Sequence, residues 1–188
     1  MSKNLLRLKL LGSPSVFLNQ EEVFFPFAKI NALLYYLHIN GAVNREEIAG
    51  ILWENKDNQT AKKNLRNTIY QANKLLGGEW VVAPNRTVLS LNPECAIESD
   101  VELFTDHPAE HLSLYQGDFL QGFYLKDSEA FDYWVSKMRT RYEQLYIQAC
   151  YQQLETEKDQ LDLEEAERNL RRLISIDEFD EKNYHLLM

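Results

Sequence analysis

Cysteine is scarce in this sequence. The two cysteines, Cys95 and Cys150, lie far apart, and neither belongs to a Cys-x-x-Cys pair. Neither a disulfide framework nor a cysteine zinc site is therefore indicated, and a reducing compartment fits this composition.

Long apolar runs are also absent from the sequence. No run approaches the roughly 20 apolar residues that a membrane-spanning helix needs. The first residues alternate charged and apolar side chains and lack the apolar segment of a signal peptide. We expect a cytoplasmic protein with no membrane partner.

The sequence offers no complete catalytic or metal-binding set. His107 and His111 have the spacing of two ligands on one helix face, but Pro108 intervenes and no third ligand accompanies them. Three aspartates could be read as a carboxylate cluster, namely Asp118, Asp127 and Asp132. No nucleophile, histidine partner or glycine-rich phosphate loop goes with them. We therefore expect no enzyme activity, no metal and no cofactor.

Acidic residues are distributed unevenly along the chain. The net charge is -9 over 188 residues, but residues 1–92 hold 11 Lys+Arg and 7 Asp+Glu, a net charge of +4. Residues 93–188 hold 9 Lys+Arg and 22 Asp+Glu, a net charge of -13. Such asymmetry between the halves of a chain indicates nucleic-acid binding by one of them.

One stretch, from Ala61 to Gly77, lacks acidic residues altogether and has the pattern of an amphipathic helix. A stripe of Leu65, Ile69, Ala72 and Leu76 is predicted to face a core, with Ala61, Thr68 and Leu75 beside it. The opposite face has long donors without the acidic i,i+4 partners of an ordinary solvated helix. Either a solvated helix or a helix that reads the DNA major groove fits this pattern. The candidate DNA contacts on this helix are Lys62, Lys63, Arg66, Asn67, Tyr70, Gln71 and Lys74. Tyr70 could instead pack at the helix edge.

Three short strands are predicted at the N-terminus. Period-two alternation indicates a strand from Leu6 to Leu11, and a hairpin is expected from Val16 to Leu18 and from Val23 to Phe25. Together they predict a small antiparallel sheet.

Two helices are predicted before the basic stretch. The first follows Pro26 and ends at Asn40-Gly41, and the second starts with a capping box of Asn44 and Glu47 and ends near Trp53. Residues 54–59 are expected to form a polar loop.

A second hairpin is predicted after the basic helix. Its strands are Trp80 to Ala83 and Thr87 to Leu91, and Arg86 lies near the tip. A sheet, three helices and a hairpin in this order describe a winged helix-turn-helix. Its third helix, about residues 60–76, would enter the major groove, and the wing, residues 80–91, would place Arg86 at the backbone or minor groove.

The second half of the chain reads as helical. A stripe of apolar residues predicts one long helix from Phe131 to about Glu157, a second helix from Asp162 that buries Leu163, Ala166, Leu170 and Leu173, and a third near Asp180. Helices with short connectors stack as antiparallel pairs, as in TPR arrays. Five aromatic residues could form packing between the domains or a ligand pocket, namely Phe123, Tyr124, Phe131, Tyr133 and Trp134.

Three segments carry a resemblance to a known family. The motifs are NREE at residues 44–47 leading to Leu52-Trp53, KNLRN at residues 63–67, and GDFL with a following GF at residues 117–123. This pattern resembles the SARP-type transcriptional activators that contain a bacterial transcriptional activator domain, and it covers nearly the whole chain. The resemblance implies an OmpR-like winged helix on promoter DNA, homodimers on direct repeats, and contact with RNA polymerase through the loop before the recognition helix. Because the family pattern continues beyond Met188, we expect an N-terminal piece of a longer protein.

These observations predict an α+β winged helix-turn-helix with an N-terminal antiparallel sheet over residues 1–98, followed by an all-α TPR-like bacterial transcriptional activator domain over residues 99–188. The expected function is a sequence-specific regulator, an activator by resemblance, that binds double-stranded promoter DNA. The alternative is a TPR-type scaffold whose winged helix binds protein.

Overall fold

The computed structural model describes residues 4–156 and 163–176. Within these residues the chain has a mixed α+β fold with an N-terminal sheet, a smaller second sheet and six α-helices. No helix in these ranges combines the length and the apolar character that crossing a membrane requires.

The N-terminal sheet is built on the strand that the period-two pattern predicts. β1 (Leu5–Lys9) pairs antiparallel with β2 (Ser15–Leu18), which pairs antiparallel with β3 (Glu21–Glu22). Leu6 and Leu8 are fully buried while the residues between and after them are exposed. The alternation in the sequence therefore correctly predicts which face of β1 packs on the core.

The third strand lies earlier in the chain than predicted. We expected it at Val23 to Phe25, but Asn19 and Gln20 both have positive φ, 52° and 75°, and form a two-residue hairpin turn. β3 begins directly after this turn and pairs with the end of β2. The hairpin is confirmed, and the position of its second strand was wrong.

A fourth strand, β7 (Ala96–Ser99), completes the sheet and was missed from the sequence. It runs parallel to β1, so that the strand order is β3-β2-β1-β7. Arg7 of β1 and Glu98 of β7 form an ion pair at 3.2 Å. The sheet is therefore mixed, and the expected antiparallel arrangement holds only for its first three strands.

The three predicted helices before the hairpin are present. They are α1 (Ala28–Asn40), α2 (Arg45–Leu52) and α3 (Asn58–Leu75). α1 ends at Gly41, whose φ of 69° is easy for glycine and whose N–H donates to the Leu37 carbonyl at 2.9 Å.

The cap of α2 differs from the predicted capping box. The Asn44 side chain accepts from the backbone N–H of Glu46 at 2.8 Å. The carboxylate of Glu47 accepts instead from the Tyr36 hydroxyl at 3.3 Å, so it ties α2 to α1.

The predicted second hairpin forms part of a small sheet. β5 (Val81–Val82) and β6 (Val88–Leu91) are antiparallel, and β4 (Val43–Asn44), which precedes α2, pairs with the other side of β6. This pairing attaches the hairpin to the start of α2.

The second half of the chain is helical, as predicted. It contains α4 (Asp100–Asp106) and a short 3-10 turn at Leu112–Leu114, which were missed from the sequence, and also α5 (Glu129–Thr156) and α6 (Leu163–Ile176), which were expected. Leu170 and Leu173 of α6 are buried, which confirms that part of its predicted stripe. The helix expected near Asp180, and the side chains of Leu163 and Ala166, lie outside the described residues.

Aromatic side chains of the helical half pack on α1. Phe123 meets Tyr35 edge-on with ring centroids 5.5 Å apart, and Trp134 lies 4.8 Å from Tyr36. Phe131 packs on both Phe123 and Trp134. This contact confirms packing as the use of these three aromatic residues.

The remaining two residues of the aromatic set have a different environment. Tyr124 and Tyr133 are 72% and 64% exposed, so neither belongs to that packing.

The GDFL segment joins the two halves through its backbone. Gly12 donates to the Asp118 carbonyl at 3.0 Å, and Leu120 donates to the Leu10 carbonyl at 2.8 Å. A Cβ at Gly117 would overlap the Gln121 side chain and lie 3.0 Å from the Cα of Gly12, so a larger residue there would push the two backbones apart by a few tenths of an ångström.

Asp100, at the start of α4, binds the backbone just after β1. Its carboxylate accepts from the N–H groups of Leu10 and Leu11 at 2.8 to 3.0 Å. Burial raises the pKa of Asp100, and these backbone hydrogen bonds oppose the rise. The division into domains 1–98 and 99–188 stays a prediction.

Candidate nucleic-acid interface

Helix α3 starts two residues earlier than predicted because of its cap. Asp57 accepts from the backbone N–H of Thr60 at 3.0 Å and from its hydroxyl at 2.6 Å. These hydrogen bonds lower the pKa of Asp57. Residues 58 and 59, expected in the polar loop, therefore form the first turn of α3.

The buried face of α3 is close to the predicted stripe. Leu65, Ala72 and Leu76 are at most 1% exposed. Thr68 is also buried, whereas Ile69 is only partly buried, so the stripe is rotated slightly from the predicted one. Leu75, expected beside the stripe, is 43% exposed.

The outer face of α3 carries most of the candidate DNA contacts. Lys63, Arg66, Asn67, Tyr70 and Lys74 are all exposed, and Gln71 is half-buried. Tyr70 is 60% exposed, which excludes core packing for its ring. Among the residues that the structure describes, the three cations of this set have no ion-pair partner. They are therefore available to an external anion.

Lys62 is the exception among the candidates. Its Nζ lies 2.5 Å from Oε1 of Glu46 on α2, and its side chain is 43% exposed. The acid-free sequence of α3 hides this partner, because Glu46 approaches from another helix.

Asn85 sets the shape of the hairpin tip. Its Oδ1 accepts from the backbone N–H groups of Thr87 and Val88 at 2.9 and 3.0 Å, and from the Thr87 hydroxyl at 2.9 Å. Arg86 lies inside this turn and is exposed.

Asn73 fastens the hairpin to the end of α3. Its side chain donates to the Val81 carbonyl at 2.9 Å and accepts from the N–H groups of Trp80 and Val81 at 3.0 and 2.8 Å. The indole N–H of Trp80 donates to the Leu76 carbonyl at 3.1 Å. The helix and the hairpin are therefore held in one fixed arrangement.

A cleft of about 240 Å³ lies where α2, α3 and the hairpin meet. Its lining contains four cations and a single carboxylate: Arg45, Lys62, Arg66, Arg86 and Glu46, with Leu65 and Thr87. The cleft brings together Lys62, Arg66 and Arg86 from the predicted set.

Sequence reasoning missed Arg45. The backbone N–H of Arg45 donates to the Thr87 carbonyl at 2.8 Å, which places the start of α2 against the hairpin. The sequence feature that could have indicated Arg45 is its position directly after the cap residue Asn44, at the first residue of the second predicted helix.

A second groove, of about 510 Å³, lies on the other side of α3. Asn64 and Asn67 of α3 line it, together with Phe27, Lys29, Trp53, Leu125 and Lys126. The Lys29 Nζ donates to the Leu52 carbonyl at 2.6 Å, and burial lowers the pKa of this lysine. The groove combines apolar walls with cationic groups.

The two histidines with ligand-like spacing contact each other edge-on. The ring centroids of His107 and His111 lie 6.4 Å apart. In the described ranges, no group of three or more His, Cys, Asp or Glu residues could hold a metal ion.

Comparison with known proteins identifies a similar fold. No protein-family model and no curated protein matches the sequence. Among solved structures, Mycobacterium tuberculosis EmbR in complex with a low-affinity phosphopeptide matches with a TM-score of 0.73 and 20% sequence identity. The fold is similar to that of EmbR.

The match to EmbR covers 98% of this chain and 54% of that chain, so this chain spans about half the length of that EmbR chain. At 20% identity the likeness concerns the fold alone.

Proposed function

We propose that the chain is a sequence-specific DNA-binding transcription regulator of the winged helix-turn-helix type. α3 is its recognition helix, and the hairpin β5–β6 is its wing. The observation that carries the proposal is the convergence of cations from α2, α3 and the hairpin on one cleft, beside a helix face that has no acid of its own. In a chain of net charge -9, this concentration of positive charge favours a polyanionic partner.

The outer face of α3 has the chemistry to read base edges. The major groove admits a helix, and Arg, Asn and Gln side chains can each make bidentate hydrogen bonds there. Arg66, Asn67 and Gln71 take this role, while Lys63 and Lys74 contact phosphates. Arg86 reaches the backbone or minor groove from the wing.

The helical half completes the proposal. The stacking of α5 and α6 supports a TPR-like bacterial transcriptional activator domain, and the likeness to EmbR over 98% of the chain supports the regulator assignment. Activation of promoters, contact with RNA polymerase, homodimers on direct repeats and a cytoplasmic location belong to the same proposal.

A second candidate function is a protein-interaction scaffold. The groove beside α3 favours it, because its lining of Phe27, Trp53, Leu125 and lysines suits a protein segment. In that case the basic face of α3 would be dispensable.

Binding of random duplex DNA across a salt series tests the proposal. Fluorescence anisotropy of a labelled duplex of about 20 base pairs should show affinity falling with salt, with a log-log slope of roughly -3 if the cleft and outer face engage three to four phosphates. Enrichment of a bound sequence from a random pool should then yield one operator. An absence of binding at about 50 mM salt would leave the scaffold as the function.

A further inference from the structure

Glu46 is the single carboxylate in the lining of the basic cleft, and it forms an ion pair with one of the four cations there, Lys62. Its Oε1 lies 2.5 Å from the Nζ of Lys62, and the side chains are 67% and 43% exposed, respectively. The other three cations of the cleft have no ion-pair partner among the described residues. When a polyanion approaches the cleft, Lys62 is therefore already paired with Glu46.

We propose that Glu46 holds Lys62 away from the phosphate backbone and so lowers the affinity of the chain for DNA of arbitrary sequence. This inference rests on the proposed DNA-binding function. A phosphate that approaches the cleft must displace the Glu46 carboxylate before Lys62 can bind it, and it meets like charge as it does so.

The location of the ion pair argues for an effect on binding rather than on folding. Ion pairs exposed to this extent contribute little to stability, because water and salt screen them. The backbone N–H of Glu46 donates to Oδ1 of Asn44, which caps α2. That hydrogen bond does not involve the Glu46 side chain, so it survives a substitution there. A substitution at Glu46 therefore alters the charge of the cleft and leaves the start of α2 in place.

Counterion release gives the inference a measurable signature. One additional phosphate contact steepens the log-log salt slope by about 0.9. In Glu46→Gln, the freed Lys62 should supply that contact, and random duplex DNA should bind more tightly at low salt. The advantage over the parent should shrink about 3.5-fold between roughly 50 and 200 mM salt.

The test uses the full chain and a labelled random duplex in fluorescence anisotropy. Glu21→Gln is the matched control, because Glu21 lies in β3 of the other sheet and its loss changes the net charge equally. Glu46→Ala repeats the test without a side-chain acceptor for Lys62. We expect both Glu46 variants to steepen the slope and the control to keep the parent slope.

A second background separates the release of Lys62 from a change in overall charge. In a chain that already carries Lys62→Gln, the change Glu46→Gln should leave the salt slope unaltered. Equal steepening in that background, equal steepening by Glu21→Gln, or a parent-like slope in both Glu46 variants would overturn the inference. A parent chain that binds no DNA at any salt would instead refute the proposed function itself.

Discussion

Replacement of Asn73 by alanine should destabilise the chain by about 2 to 3 kcal/mol. The side chain makes three hydrogen bonds to the hairpin backbone, and the residues that supply those groups, Trp80 and Val81, are 3% and 2% exposed. Each bond contributes a net 0.5 to 1.5 kcal/mol, or about 3 kcal/mol for the three. The higher helix propensity of alanine returns roughly 0.5 kcal/mol.

The assay is chemical denaturation of the full chain, followed by circular dichroism and by tryptophan fluorescence, since Trp80 lies at the affected contact. Asn67→Ala is the matched control, because Asn67 lies on the exposed face of the same helix. Its free energy of unfolding should remain within about 0.5 kcal/mol of the parent. Asn73→Asp keeps the acceptor and loses the donor, so its stability should fall between those of the parent and Asn73→Ala.

An Asn73→Ala variant as stable as Asn67→Ala would refute the reasoning. It would mean that water or a shifted backbone satisfies the three groups, and that the side chain does not fix the hairpin against α3.

Four further outcomes are expected. Arg66→Ala and Lys63→Ala should weaken DNA binding without lowering the melting temperature, by about 1 to 3 kcal/mol for a base-reading contact, and unchanged affinity in both would exclude α3 as the recognition helix. Arg86→Ala should flatten the log-log salt slope by about one unit, and a parent-like slope would place the hairpin off the DNA. Leu65→Ala should cost about 2 to 5 kcal/mol of unfolding free energy in chemical denaturation, since the side chain is 1% exposed, and a parent-like midpoint would mean that the helix register is wrong. Burial lowers the pKa of His38 below its unfolded value, so stability present above pH of about 6.5 should be lost as the pH falls, and thermal melts of His38→Gln should show a smaller loss.

The pH dependence has a specific local cause. His38 Nε2 lies 2.7 Å from Oγ of Ser99, and burial outweighs the opposing influence of Glu102, whose carboxylate is 3.8 Å away. The unfolded chain takes up the proton first, which is why acid favours unfolding. Equal losses of stability in the parent and His38→Gln between about pH 7.5 and 5.5, roughly one unit on either side of the unfolded pKa, would show that other groups dominate.

Local sequence patterns predicted helices α1, α2, α3, α5 and α6 and both hairpins, although they missed α4 and misplaced β3. α2, α3 and α5 each bury one face against a core, and a buried face leaves a 3.6-residue pattern in the sequence. α1 is buried on nearly all sides from Ala32 to Leu37, so its length and its flanking Pro26 and Gly41 indicated the helix more than one apolar face did. Two-residue alternation marked β1 for the same reason. The exposed cations of α3 followed from the register of its buried face.

Features that join distant segments left no such pattern. β7 is a four-residue run whose partner, β1, lies about 90 positions earlier, so no local period marks it. Arg45 enters the cleft because β4 pairs with β6, and Glu46 reaches Lys62 from a different helix. The hydrogen bonds of the Asn73 side chain likewise depend on where the hairpin packs against the end of α3.

The parallel pairing of β1 with β7 also constrains the order in which the chain can fold. Arg7 and Glu98, which face each other across the two strands, are 91 positions apart. During synthesis, the edge of β1 that β7 covers therefore stays open until α3 and the hairpin β5–β6 have already left the ribosome. An open strand edge can pair with another chain, and contacts between such distant residues form slowly. A fragment that ends at Asn92, where the charge changes sign, would retain that open edge permanently and should aggregate more readily than the intact chain.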